Sequence, residues 1–388
     1  MTTIVAMPIL AILKQRIKSA CNPAPDGLFL YSVMALIFIG FIMILSTSSV
    51  LGHAYYNNGF FFIRKQLFFF GLGLIAMLLL YYMPVAVYKR LLIPGFLASL
   101  VLLSLTLVPG FGVLLGGASR WLSILGVQFQ PIELVKFFFP GIIGLLWHNK
   151  RHYRAYFSSI FPILVMAAFP LSIMALQPDL GNSILLSVTA GALLLIYGIR
   201  IRHILVLSTI GLIILTGIIM IYPYQQARLT AFLNPWDDPF GKNYHAVQSM
   251  MAIGSGGITG LGLGQSRLKY FYLPLHHSDF IFAIICEEGG LLASMSVLGL
   301  FFMMAYRGVR IAHLCYDPVL SVWVMGLTLL LAGQAFLNIG VVIGLFPITG
   351  IPLTFISLGG SSLVISMSSA GLIARVSQDA RAAVIARE

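Results

Sequence analysis

Long apolar runs separated by brief polar intervals dominate this chain. Runs of the length that spans a bilayer, about 20 residues, fall near 28–50, 66–84, 93–115, 133–148, 158–176, 180–199, 203–222, 279–306, 318–345 and 353–375. This pattern predicts an all-α polytopic membrane protein of about ten transmembrane helices. The run at 133–148 is short, and only Gln177-Pro178-Asp179 divides the fifth run from the sixth. One polar interval is large, residues 223–278 between the seventh and eighth runs, and long loops with their own residue chemistry tend to carry function. The expected organisation is an N-terminal arm 1–27, a single transmembrane domain 28–376 containing that loop, and a tail 377–388. No internal repeat is evident.

Composition excludes a soluble domain. Of 388 residues, 59% are hydrophobic and 9% charged, against roughly 25% charged in a typical soluble domain. With the N-terminus in the cytoplasm, 15 of the 23 Lys and Arg fall on the inner side and 8 on the outer. Seven of the eleven acids fall outside, so the inner surface carries +11 and the outer +1. That asymmetry places both termini in the cytoplasm and the 223–278 loop outside. The net +12 reads as topology and attraction to anionic lipid, with no nucleic-acid footprint. Cys21, Cys286 and Cys315 read as packing residues. The apolar segment before Lys14 precedes its basic cluster, the reverse of a secretory signal, and is expected to be an uncleaved cytoplasmic arm.

Candidate chemistry collects around the large loop. Asp279 enters an apolar run directly after His276, His277 and Ser278. It reads either as a helix-capping carboxylate or as a group that meets a substrate head group at the outer boundary. Glu287 and Glu288 follow about 12 Å further along a helix, rotated about 80° and 180° from Asp279, which predicts a structural partnership with a basic or polar group on a neighbouring helix. Arg120, Gln130, Glu133 and Lys136 form a second cluster. There Glu133 and Lys136 are spaced to pair, or Lys136 holds an anion. The glycine-rich stretch Gly254–Gly264 matches neither phosphate-loop pattern. It reads as irregular backbone packed on protein, with an anion nest as the alternative. Arg228, Lys242, Arg267 and Lys269 surround it as phosphate ligands or rim charges. His276 and His277 lack further ligands at metal spacing. Gln334 and Asn338, four apart, suit interhelical hydrogen bonds, and 346–363 reads as a bent approach to the last helix.

Several blocks together resemble the SEDS family of membrane glycosyltransferases: GASRWL (117–122), QPIELVK (130–136), QPDLG (177–181), NPWDDPFG (234–241), Gln248-Ser249 with AIGSGG (252–257), LPLHHSDFIFA (273–283) with EEGG (287–290), and FPITGIPLTFISLGGSS (346–362). They run collinearly from the outer loop after the third span to the last span. The compact segment before Asp279 is closer to the division branch (FtsW-like) than to the elongation branch (RodA-like).

The resemblance implies polymerisation of Lipid II on the outer face of the bacterial cytoplasmic membrane, at the division septum. It implies Asp279 as general base. Substrate contacts would come from Arg120, Lys136, Gln130, Arg228, Lys242, Gln248, Ser249 and His277, with Glu133, Glu287, Gln334 and Asn338 in support. It implies a class B penicillin-binding transpeptidase and other divisome membrane proteins as partners. It requires no cofactor and leaves a divalent cation open. A lipid-linked precursor flippase and a non-catalytic division scaffold are the alternatives. The scarcity of polar residues in the inner halves of the helices favours the enzyme. The chain departs from the family at Leu275, where an acid is usual, at Thr354 (usually Pro) and at Leu358 (usually aromatic).

Overall fold

The computed structural model describes residues 23–115, 118–124, 126–149, 160–241, 243–268 and 279–385. The chain runs α1 (Gly27–Tyr56), α2 (Phe61–Tyr82), α3 (Val85–Leu105), three strands β1 (Gly112–Leu115), β2 (Ala118–Ile124) and β3 (Val127–Phe129), then α4 (Ile132–Asn149), α5 (Phe161–Leu176) and α6 (Leu180–Ile196). It continues through α7 (Ile201–Ile221), α8 (Pro223–Leu233), α9 (Tyr244–Gly256), α10 (Ile281–Leu314), α11 (Pro318–Val342) and α12 (Gly360–Ile385). Among the described residues six helices, α1, α2, α3, α7, α10 and α11, are long and apolar enough to cross a membrane. Helices α5 and α6 are apolar but shorter. Sequence chemistry sets several boundaries. Asp26 accepts the Phe29 N–H at the start of α1, Asp179 accepts from Asn182 N–H at α6, and Asp317 with Pro318 opens α11, each relieving an orphan donor of a helix first turn.

Two features correct the all-α expectation. The apolar run 93–115 is not one helix: α3 ends at Leu105, and Gly112–Phe129 folds into a three-stranded antiparallel sheet, order β1-β2-β3, pairing Gly112 with Leu122 and Leu122 with Phe129. Hydropathy alone joined the short strand Gly112–Leu115 to the helix before it. The 223–278 interval is also not simply loop, since α8 and α9 lie within it. Lys242, Lys269, Cys21 and residues 269–278, including Leu275 and His276 to Ser278, lie outside the described residues.

Helix α11 is the hub, packed against α10, α4 and α6, while α12 lies along α2 and α1 along α10. In lipid, helices associate through close backbone approach and hydrogen bonds rather than hydrophobic burial. Accordingly, a methyl group on Gly144 of α4 would stand 2.9 Å from the Val319 carbonyl of α11, and Trp323 Nε1 donates to the Phe137 carbonyl at 2.7 Å. Helix α7 is the opposite case, with no buried residue.

Successive helices reverse direction, so the molecule has two chemically distinct ends. At one, Lys89 pairs with Asp317, Arg375 with Asp379, and Arg307 and Arg381 both with Asp26. The sheet, α8, α9 and residues 343–359 lie at the other. The Asp26 side chain is 5% exposed and that of Arg307 13%. Asp26 also accepts from Phe29 N–H, and its own N–H donates to Ser377 Oγ, so one carboxylate ties together the starts of α1 and the ends of α10 and α12. Burial raises the Asp26 pKa, and the Arg307 hydrogen bond and Phe29 N–H lower it by more, leaving it below the ordinary carboxylate value. Asp26→Asn keeps the cap and strands the Arg307 guanidinium, so it is expected to cost about 3 kcal/mol, read as a lower unfolding midpoint in detergent. Because the folded pKa is depressed, the wild-type contribution is complete above the unfolded value near 3.9 and disappears as pH falls through the folded one. The gap between the wild type and the variant should therefore close in acid.

Candidate functional site

At the end opposite Asp26, polar side chains from distant segments hold three turns of backbone in place. Arg120 on β2 donates from Nε to the Gln177 carbonyl at 3.2 Å and from Nη2 to the Pro178 carbonyl at 2.6 Å. Gln225 on α8 donates to the same Pro178 carbonyl at 3.0 Å, and Gln177 Nε2 donates to Thr106 Oγ1. The α5–α6 turn is thus gripped from both the sheet and α8. Pro178 has φ +24°, outside the range its ring prefers, and these bonds converge on it.

One step further in, Lys136 on α4 is surrounded by acceptors. Its Nζ donates to Glu133 Oε1 at 2.7 Å, Gln334 Oε1 at 2.8 Å and Asn182 Oδ1 at 3.4 Å. The Lys136 and Glu133 side chains are both nearly inaccessible. An ammonium has three donors, and burying it among helices demands partners for all of them. The pairing of Glu133 with Lys136 is therefore real, and it joins α4 to α6 and α11. Beside it lies a cavity of about 20 Å³, room for one water. Gln334 also donates to the Pro352 carbonyl at 3.0 Å. One turn along α11, Asn338 Nδ2 donates to the Asp279 carbonyl at 2.7 Å and the Ile351 carbonyl at 2.8 Å. Gln334 and Asn338 thus reach loop backbone as well as neighbouring helices.

Asp279 stands just before α10. Phe280 occupies the N-cap position, and its own side chain makes no cap bond. Its Oδ2 lies 3.8 Å, and Arg228 Nη2 4.0 Å, from the point a Cβ on Gly350 would occupy. Gly350 has φ +72°, a conformation glycine adopts without strain. The carboxylate and guanidinium therefore face the same small space. Arg228 is held there by Tyr224 one turn earlier on α8, to whose hydroxyl it donates at 2.5 Å and over whose ring it lies at 4.4 Å. Burial lowers the Arg228 pKa; Tyr224 and Asp279 oppose that, and Arg120 adds to it. Two guanidinium groups and one carboxylate thus share one electrostatic environment. His245 on α9 stacks on Phe280 at 5.9 Å, and burial lowers its pKa, so its ring is neutral at pH 7.

The remaining sequence candidates separate by position. Ser249 donates to the Val342 carbonyl, which docks α9 on α11. Gln130 is buried and its N–H donates to Ser361 Oγ at 3.3 Å. Gln248 is buried with its amide oxygen unpartnered. Glu287 and Glu288 lie two turns into α10 and bind a loop and α1 rather than a cation at the Asp279 site. Lys242 and His277 lie outside the described residues. Cys286 and Cys315 are free thiols. Among the described residues no three His, Cys, Asp or Glu side chains stand together as metal ligands. Sequence reasoning missed Asn182, Tyr224, Gln225 and Gly350. The Tyr224–Arg228 spacing of four on a short polar helix was a readable signal. The role of Gly350 was not, because it depends on what comes opposite.

Comparison with known proteins agrees with this architecture. A family model described as cell cycle protein, FtsW/RodA/SpoVE, matches residues 26–382. Stage V sporulation protein E of Bacillus subtilis is 36% identical, the alignment covering 92% of this chain and 98% of that protein. The probable peptidoglycan glycosyltransferase FtsW of Geobacter metallireducens is also 36% identical, covering 91% and 94%. Among solved structures, a chain of a peptidoglycan synthase complex that coordinates polymerization and crosslinking superposes with a TM-score of 0.76 at 27% identity, covering 92% and 98%. Rod shape determining protein RodA of Thermus thermophilus does so with 0.67 at 26% identity, covering 92% and 97%. The aligned length, the shared fold and the multi-pass helical build lead to one conclusion: this chain is a membrane protein of the FtsW/RodA/SpoVE family.

Proposed function

We propose that this protein polymerises Lipid II into glycan strands at the outer face of the cytoplasmic membrane during cell division, with Asp279 as the general base. The meeting of the Asp279 carboxylate with Arg228 across Gly350 is the observation that carries the reading. In the reaction, Asp279 takes the proton from the acceptor sugar hydroxyl. The freed oxygen attacks the anomeric carbon of the donor, and the bond from that carbon to the pyrophosphate oxygen breaks. Charge develops on the departing polyprenyl pyrophosphate, and fixed cations aimed at developing charge are a principal source of rate enhancement. Arg228 and Arg120 supply them, while the charge of Lys136 stays paired with Glu133 inside the bundle. Gly350, with no side chain, leaves the space between carboxylate and guanidinium for substrate.

The basic cluster around Asp26 supports a cytoplasmic assignment for that end, which turns the Asp279 end outward. Relatives named FtsW support the division branch over the elongation branch. The solved complex that couples polymerization to crosslinking supports a partner transpeptidase of the class B penicillin-binding type. Lys242 and His277 are proposed substrate contacts on sequence resemblance alone.

The decisive assay is polymerisation of labelled Lipid II by the purified protein, alone and with its transpeptidase. Asp279→Asn should lower turnover roughly 100-fold or more while leaving the unfolding midpoint near wild type. Equal glycan from both proteins would remove Asp279 from the role of base. Arg228→Ala should lower kcat/KM by roughly 100-fold, and Arg228→Lys should recover part of that loss, since a lysine keeps the charge without the planar fork. Gly350→Val should be inactive, because its side chain fills the shared space and a β-branched residue is strained at positive φ.

A further inference from the structure

Helix α10 is two helices. At Gly290 the backbone turns to φ +63°, ψ −161°, a region essentially reserved for glycine, so residues 281–289 form a short lever detached from the long remainder. The stretch 257–262 fills the break. Leu261 and Gly262 N–H donate to the Glu287 and Glu288 carbonyls at 3.0 and 2.9 Å, while Leu291 and Leu292 N–H donate to the Gly257 and Ile258 carbonyls at 3.0 and 3.2 Å. A foreign strand thus supplies both partners for the rungs on either side of Gly290, as lipid-embedded backbone requires. The approach is too close for a side chain: a Cβ on Gly290 would collide with Gly260 N and the Ile258 carbonyl.

The two carboxylates at the base of this lever complete the attachment. Glu287 Oε2 accepts from Ser266 Oγ at 2.5 Å and Oε1 from Arg267 N–H at 3.0 Å. Glu288 accepts from Ser266 N–H at 3.3 Å and from Ser46 Oγ of α1 at 2.7 and 2.9 Å. Both residues are 1% exposed. At the other end of the lever, about 12 Å away at 1.5 Å per residue, stands Asp279. A rigid helical turn pinned at one end transmits any tilt to the other. Carboxylates are costly in an apolar span, and apolar packing would hold a purely structural helix at lower cost. We infer that Glu287 and Glu288 are positioning residues: through Ser266, Arg267 and Ser46 they lock the detached half of α10 and so set where the Asp279 carboxylate stands relative to Arg228. The inference rests on the reading of Asp279 as the base.

The test uses the full-length protein in lipid nanodiscs. Ser266→Ala and the double variant Ser46→Ala/Ser266→Ala remove hydroxyl donors while leaving the fold its backbone bonds, and Ser266→Thr restores the hydroxyl. The double variant should lower kcat for Lipid II polymerisation roughly tenfold with KM within twofold, and Ser266→Thr should return kcat to near wild type. Hydrogen exchange should rise in peptides covering 279–288 as well as 257–268. Faster exchange confined to 257–268, a loss falling entirely on KM, or unchanged kcat would overturn the inference. A wild type unable to polymerise Lipid II would instead refute the proposed function. In that case exchange at 279–288 alone decides the attachment: unchanged in the double variant, it overturns it; accelerated, it upholds it.

Discussion

The ammonium of Lys136 is the constraint around which this end of the molecule is arranged. It comes from α4, yet its three acceptors come from α4 itself, α6 and α11. A buried cation without those acceptors would cost several kcal/mol, so the three helices can meet in few ways. The amide that completes the Lys136 shell, Gln334, uses its other end to hold Pro352, and Asn338 one turn on holds Ile351 and Asp279. The chain of bonds from the buried ion pair to the backbone of the proposed base is therefore unbroken, and each link satisfies a group that lipid would leave bare.

The same requirement explains the less regular parts. A break in a membrane helix frees backbone groups that water cannot reach. At Gly290 they are taken up by residues 257–262, and Gly256 and Gly260 stand where a Cβ would strike the backbone of residues 286–289. The alternative of an anion nest gives way to this packing role. Arg120 instead grips the α5–α6 turn, and Arg228 lies beside Tyr224 and Gly350. Glu287 and Glu288 have the partners the sequence argument anticipated in kind, polar groups including Ser46 on a neighbouring helix, but most come from a loop.

The two ends of the bundle differ in how they use charge. Around Asp26, the acids Asp26, Asp317 and Asp379 each meet a base, and the result is structural closure. At the other end, the Arg228 guanidinium feels both the Asp279 carboxylate and the Arg120 guanidinium, and no such closed set of pairs forms.

Several features were legible in the sequence alone. The apolar runs and their order follow from hydropathy, a property of adjacent residues. The i, i+3 pair Glu133–Lys136 follows from helix periodicity, and the collinear blocks identified the family. Other features had no local signal. The strand Gly112–Leu115 is as apolar as the helix before it, so hydropathy merged them. What stands beside Asp279 had no local signal either: Arg228, 51 positions earlier in the sequence, meets it across Gly350. The splice at Gly290 joins segments whose partnership depends on the path of the chain between them. Periodicity and composition decide which segments leave water. Which side chains then face one another is decided by helix packing, because buried polar groups must find partners wherever in the sequence those partners lie.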